Sequence, residues 1–155
     1  MFDLPSILIL FAILCLGVTY GAQTFFAVIA RSALERTDNA ALGQVMGRIH
    51  EVAMLRMALF GFPGAFATFA LIFATGLGSV RSWLATVAFL MLCADLGLSA
   101  IYGWPVNRKL IAAAQRGETL PETRALQRRW DGGNLARAFV AGVAVACLTL
   151  AALAH

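Results

Sequence analysis

Long apolar runs alternate with short polar connections along this chain. A bilayer's hydrocarbon layer is about 30 Å thick, so a helix rising 1.5 Å per residue crosses it in about 20 residues. Four runs meet that length or nearly so: 4–30, 53–75, 82–104 and 133–154. The pattern predicts an all-α, transmembrane, up-down-up-down four-helix bundle, a single domain over residues 1–155. Its polar connections are 31–52 and 105–132.

Local signals place the helix ends. Asp3 and Pro5 suit the first turn of the first span, with Pro5 missing a donor that turn does not need. No Lys or Arg precedes this run, so it reads as a retained helix and not as a signal peptide. Asp38 or Asn39 makes a good N-cap, which starts the second helix well before its apolar part. Pro63 is expected to kink that span, and Gly76 and Gly78 to end it. Pro105 is expected to mark a bend after the third span, with 107–115 continuing as helix. A fourth helix starts near Glu122 and becomes apolar at Leu135; its alanines predict close packing.

Composition supports lipid as the solvent. The 155 residues are 61% hydrophobic and 13% charged, with a mean hydropathy of +0.81. A soluble domain carries about 25% charge. The net charge of +4 comes from basic residues lying in the gaps between apolar runs, which excludes a nucleic-acid face. Eleven of the twelve lie in or beside the connections 31–52 and 105–132; only Arg81 is elsewhere. By the positive-inside rule those connections are cytoplasmic, both termini periplasmic, and the chain belongs in the inner membrane.

Cys15, Cys93 and Cys147 lie within apolar stretches, with no CxxC pair and no zinc spacing, and read as small buried hydrophobes. Gly17 and Gly21 form one GxxxG, and Gly43 and Gly47 another. The first could let two helix backbones touch, or the glycines could be ordinary members of membrane helices.

A polar side chain at membrane depth needs a partner or a purpose. At the cytoplasmic level the sequence places Gln23, His50, Glu51, Arg56, Trp104, Asn107, Arg108, Trp130, Asn134 and Arg137. The outer side has only Asp3, Arg81, Trp83 and His155. Trp130, Asn134 and Arg137 are spaced i, i+4, i+7, one face of a helix. These residues are equally good interface anchors and interhelical glue. Met46, His50, Met54 and Met57 have similar spacing, but one histidine with thioethers is weak ligation, and no metal site is assigned. Asp95 stands apart, about 18 Å into its span at 1.5 Å per residue. Isolated there it would be neutral, serving as a proton relay or ligand hydrogen bond, or simply bonding a neighbouring helix. No P-loop, HExxH, GxSxG or dinucleotide fingerprint is present, nor any haem or iron–sulfur spacing, so no cofactor is assigned.

Three segments carry a resemblance: GAQTFF at 21–26, GWPVNRKL at 103–110 and RRWDGGNLAR at 128–137. Their order and spacing, especially Pro105 and Asn107 followed by W-x-x-x-N-x-x-R at Trp130, Asn134 and Arg137, resemble the anthrone-oxygenase-like family of small four-helix membrane proteins. The resemblance implies oxidation of anthrones to anthraquinones and a site at Asn107, Trp130, Asn134 and Arg137. His50 is added because its unperturbed pKa is near neutrality.

Two readings follow. In the first, the protein binds or oxidises a hydrophobic aromatic or quinone-like molecule at the cytoplasmic end of the bundle. His50, with Glu51, is the base and Arg137 stabilises an enolate. Gln23, Asp95, Trp104, Asn107, Trp130 and Asn134 line the ligand. In the second, it is a non-catalytic subunit or assembly factor of a larger membrane complex, its partner being a neighbouring membrane subunit in a homo- or hetero-oligomer.

Overall fold

A computed structural model describes residues 3–154; His155 lies outside the described residues. Among these the fold is all helical, with four helices long and apolar enough to cross a membrane. They are α1 (Leu4–Leu34), α2 (Asn39–Ala74), α3 (Val80–Arg116) and α4 (Thr123–Leu153). At 31 to 37 residues they are about 46–55 Å long, well beyond a 30 Å hydrocarbon layer. The surplus carries the polar residues, at the end where α1 meets α2 and α3 meets α4. This end holds eleven of the twelve Lys and Arg and is called the basic end below.

The helix starts follow from capping. Asp3 accepts from the Ser6 amide, Asp38 from the Ala40 and Ala41 amides, and Ser79 from the Ser82 amide. Each supplies an acceptor to first-turn donors that lack a helical partner. At the other end Arg81, the lone basic residue, donates its Nε to the carbonyl of Ala154 (2.8 Å), beyond the last turn of α4.

Neighbouring helices pack in the order α1–α2–α3–α4 and back to α1, so α1 faces α3, and α2 faces α4, across the diagonals. Two apolar cores fill the interior. The core away from the basic end joins Ile9, Leu16, Leu71, Ala85, Ala144 and Leu148. The basic-end core joins Leu42, Met46, Val106, Leu110, Leu126 and Trp130. The alanine row of α4 (Ala138, Ala141, Ala144, Ala151) is buried, as close packing requires.

The prolines, glycines and cysteines each take a defined place. α2 runs unbroken through Pro63, and beside it Gly64 admits Leu16 of α1: a Cβ there would lie 2.8 Å from Leu16 Cγ. α3 continues past Pro105, as expected for 107–115, with a π-helical turn, Ser99–Gly103, just before the proline. Proline cannot donate to the carbonyl four residues back, that of Ile101. Arg129 of α4 does so instead, Nη2 to O at 3.2 Å. Of the two GxxxG motifs, Gly43 and Gly47 pack inside the molecule, against Thr123 and against Leu110 and Ala114, whereas nothing lies within 4 Å of a Cβ at Gly17 or Gly21. Among the cysteines only Cys15 is buried; Cys147 is half-buried and Cys93 exposed.

Candidate functional site

Between the two apolar cores lies a belt of polar side chains. It begins on α1, where a π-helical turn, Phe26–Ala30, follows Gln23. It is matched on α3 by the π-helical turn that follows Asp95. Such turns insert one residue into a helix and recur at functional sites. Here each one re-aims the helix next to a polar residue in the bundle interior.

Gln23 spans one diagonal, its Nε2 donating to Asp95 Oδ1 at 3.1 Å. Arg137 of α4 binds the same carboxylate, Nε to Oδ1 at 3.1 Å and Nη2 to Oδ2 at 3.4 Å. Asn134, one turn earlier on α4, donates to the Gln23 backbone carbonyl at 2.9 Å. Another turn back, Trp130 spans the second diagonal to His50 of α2, their ring centroids 5.1 Å apart. Phe26 meets the other side of Trp130 edge-on at 5.4 Å. All four helices therefore contribute, as the convergence of polar residues at one level predicts.

The roles of individual residues differ from the sequence reading. Asp95 is not isolated: it is the hub of the belt and the partner of a guanidinium. A carboxylate and an arginine at membrane depth stabilise each other's charge when neither has water. The same pairing engages Arg137 through Nε and Nη2, while its Nη1 faces Gly103. Glu51 is exposed and turned away from His50, bound by Arg48 (3.1 Å) and Gln115 (2.7 Å). Adjacent helical residues point about 100° apart, so it cannot assist its neighbour. Trp104 is half exposed on the outside of α3. The Met–His stripe also separates: Met46 and His50 are buried and Met54 is exposed. No cluster of three or more His, Cys, Asp or Glu suited to a metal ion occurs among the described residues.

What the belt leaves unsatisfied is informative. Gln23 Oε1, Thr24 Oγ1, His50 Nε2 and Asn107 Oδ1 are buried without a hydrogen-bond partner. Native structures bury few such atoms, and each asks for a water, an ion or a ligand. Asn107 lies on α3 beside Val106 and one turn from Leu110, both in the Trp130 core. A 240 Å³ pocket opens nearer the α1–α2 connection, between Arg31, Leu34, Gln127, Arg128 and Asp131. A shallower 450 Å³ groove follows α2 from Arg48 to Met57. Neither is lined by Gln23, His50, Asn107 or Arg137.

Sequence reasoning missed the packing roles of Arg129 and Gly133. Tyr102 sits in the α3 π-helical turn directly against Gly133, where a Cβ would lie 2.9 Å from the ring Cγ. The double glycine Gly132–Gly133 was the available signal.

A family model described as anthrone oxygenase matches residues 51–147. The chain belongs to the anthrone oxygenase family. The matched stretch holds Asp95, Asn107, Trp130, Asn134 and Arg137; Gln23 and His50 precede it. No curated protein and no solved structure matches this member of the anthrone oxygenase family.

Proposed function

We propose that this anthrone oxygenase family member binds a flat, hydroxylated polycyclic ketone of the anthrone type and oxidises it to the quinone. The ligand reaches the belt from the lipid. The observation that carries this reading is the Phe26–Trp130–His50 aromatic cluster, within which His50 Nε2 is buried and unpartnered; Gln23 Oε1, Thr24 Oγ1 and Asn107 Oδ1 are further unpartnered buried atoms on α1 and α3. Aromatic faces suit a flat apolar ring system. The two amide oxygens accept from its hydroxyls, and Arg137 Nη1 offers a donor to its carbonyl. Access requires the belt to open, and the two π-helical turns are the segments whose hydrogen bonding is already irregular.

In this reading His50 is the base. It takes a proton from the ring methylene opposite the carbonyl, leaving a delocalised enolate. Dioxygen is the oxidant. The methylene becomes a carbonyl holding one oxygen atom, its two hydrogens leave with the other as water, and His50 returns its proton to that product. Family membership supports the substrate class; Asn134 and the Arg137–Asp95 pair hold α1, α3 and α4 in position around it. The charge asymmetry supports a cytoplasmic basic end in an inner membrane, with both termini periplasmic.

Turnover of an anthrone by the purified protein tests this. His50→Leu is expected to abolish it while the fold is kept, and full activity in that variant contradicts the assignment.

A non-catalytic role, as a subunit or assembly factor, is favoured by one separate observation. Gly17 and Gly21 sit on the outside of α1 with nothing within 4 Å of their Cβ positions, a surface on which another helix could pack. Copurification of a second membrane protein in fixed ratio supports this reading.

A further inference from the structure

The pocket between α1 and α4 at the basic end lies outside the belt, and of its lining residues only Leu34 packs against an apolar core. Its floor is formed by Gln127 and Asp131, 5% and 7% exposed. Gln127 Nε2 donates to Asp131 Oδ1 at 2.9 Å, which leaves Gln127 Oε1 buried and without a partner. The rim is formed by the exposed residues Arg31, Glu35 and Arg128. Arg31 is joined to Glu35 at 3.2 Å, and Arg128 has no hydrogen-bond partner among the described residues. Arg124 in the wall is committed elsewhere, to Asn39 and to the carbonyls of Leu34, Glu35 and Thr37.

The signs of these groups select the ligand. A simple anion would meet the buried Asp131 carboxylate. A simple cation would meet the arginines at the mouth. A molecule with a hydrogen-bonding cation at its tip and an anion one short linker behind it satisfies both. The depth agrees. Arg31 directly follows the apolar run of α1, and Asp131 lies one turn before Leu135, where α4 becomes apolar, so the pocket opens at the level of lipid headgroups.

We propose that this pocket seats the headgroup of an aminophospholipid. Its primary ammonium donates to Asp131 and Gln127 Oε1, and its phosphate lies between Arg128 and Arg31. A quaternary ammonium cannot donate those bonds, and a glycerol headgroup brings no cation to Asp131.

The test uses the full-length protein in detergent, exchanged with phosphatidylcholine mixed with either phosphatidylethanolamine or phosphatidylglycerol. Retained lipids are counted by native mass spectrometry. One phosphatidylethanolamine is expected to be held about tenfold or more over either other lipid, as loss of a charge-assisted hydrogen bond implies. Asp131→Asn is expected to remove that preference. Arg128→Gln, at an exposed position where folding is not at stake, is expected to weaken retention by a similar factor. Equal retention of phosphatidylglycerol, or unchanged retention in Arg128→Gln, overturns the proposal. Soluble phosphoethanolamine separates the two sources of this chemistry. Failure to displace the lipid at millimolar concentration supports a lipid occupant, and preferential binding of the soluble compound overturns it.

Discussion

Arg137 of α4 grips Asp95 of α3 through two donors, Nε to Oδ1 at 3.1 Å and Nη2 to Oδ2 at 3.4 Å. Each side chain is only 20% exposed, and Gln23 adds a third bond from α1. Removing one partner leaves the other charge uncompensated in a low dielectric, which costs more than removing both. Arg137→Met is therefore expected to destabilise the protein by about 3 kcal/mol. Asp95→Leu combined with Arg137→Met is expected to cost less than Arg137→Met alone. Unfolding in mixed micelles across the double-mutant cycle measures the difference.

Close helix contacts make the glycines unequal. A Cβ at Gly47 would fall 2.5 Å from the Leu110 carbonyl oxygen, and one at Gly133 would fall 2.9 Å from Tyr102 Cγ. Neither neighbour is the free end of a flexible side chain, so Gly47→Ala and Gly133→Ala are each expected to cost about 1–3 kcal/mol. Gly17→Ala has open space and is expected to change stability by less than about 1 kcal/mol. Thermal unfolding of the three variants checks the order. A large loss for Gly17→Ala that depends on protein concentration would reveal a docked helix.

At the N-cap of α2, the Ala41 and Ala40 amides hold the Asp38 carboxyl below its ordinary pKa. A folded-state pKa below the unfolded one adds stability above the unfolded value, about 3.9, and loses it as pH falls through the folded value. The stability gap between the native protein and Asp38→Ala is therefore expected to be full at pH 6 and to shrink below about pH 4. A gap that stays constant down to pH 3 would mean the cap acts without its charge.

The four spans could be read from the sequence because each is a continuous apolar run, and lipid requires every backbone group to be satisfied within its own helix. The N-cap at Asp38 and the start of α4 after Glu122 were legible for a similarly local reason. What happens at Pro105 was not. The chain there satisfies the Ile101 carbonyl with Arg129, a residue 28 positions away that the sequence offers only as one more topological charge.

The candidate site was legible as a level and not as a set of contacts. The i, i+4, i+7 spacing of Trp130, Asn134 and Arg137 correctly put them on one face of α4, and depth alone grouped Gln23 and His50 with them. Partner choice was hidden, because it depends on which helices face each other across the bundle. Asp95 read as solitary for want of any nearby charge in sequence, yet its partner lies 42 residues on. Glu51 read as a partner of His50 because it is adjacent, although adjacency in a helix separates side chains.

The most direct measurement is ligand binding at Trp130, followed by its fluorescence in a Trp83→Phe, Trp104→Phe background where it is the one remaining tryptophan. Titration with an anthrone in lipid nanodiscs is expected to quench it saturably, with about tenfold weaker binding in His50→Leu and little change in that variant's stability. Quenching that never saturates, or an affinity indifferent to His50, would contradict the assignment of this belt as the ligand site.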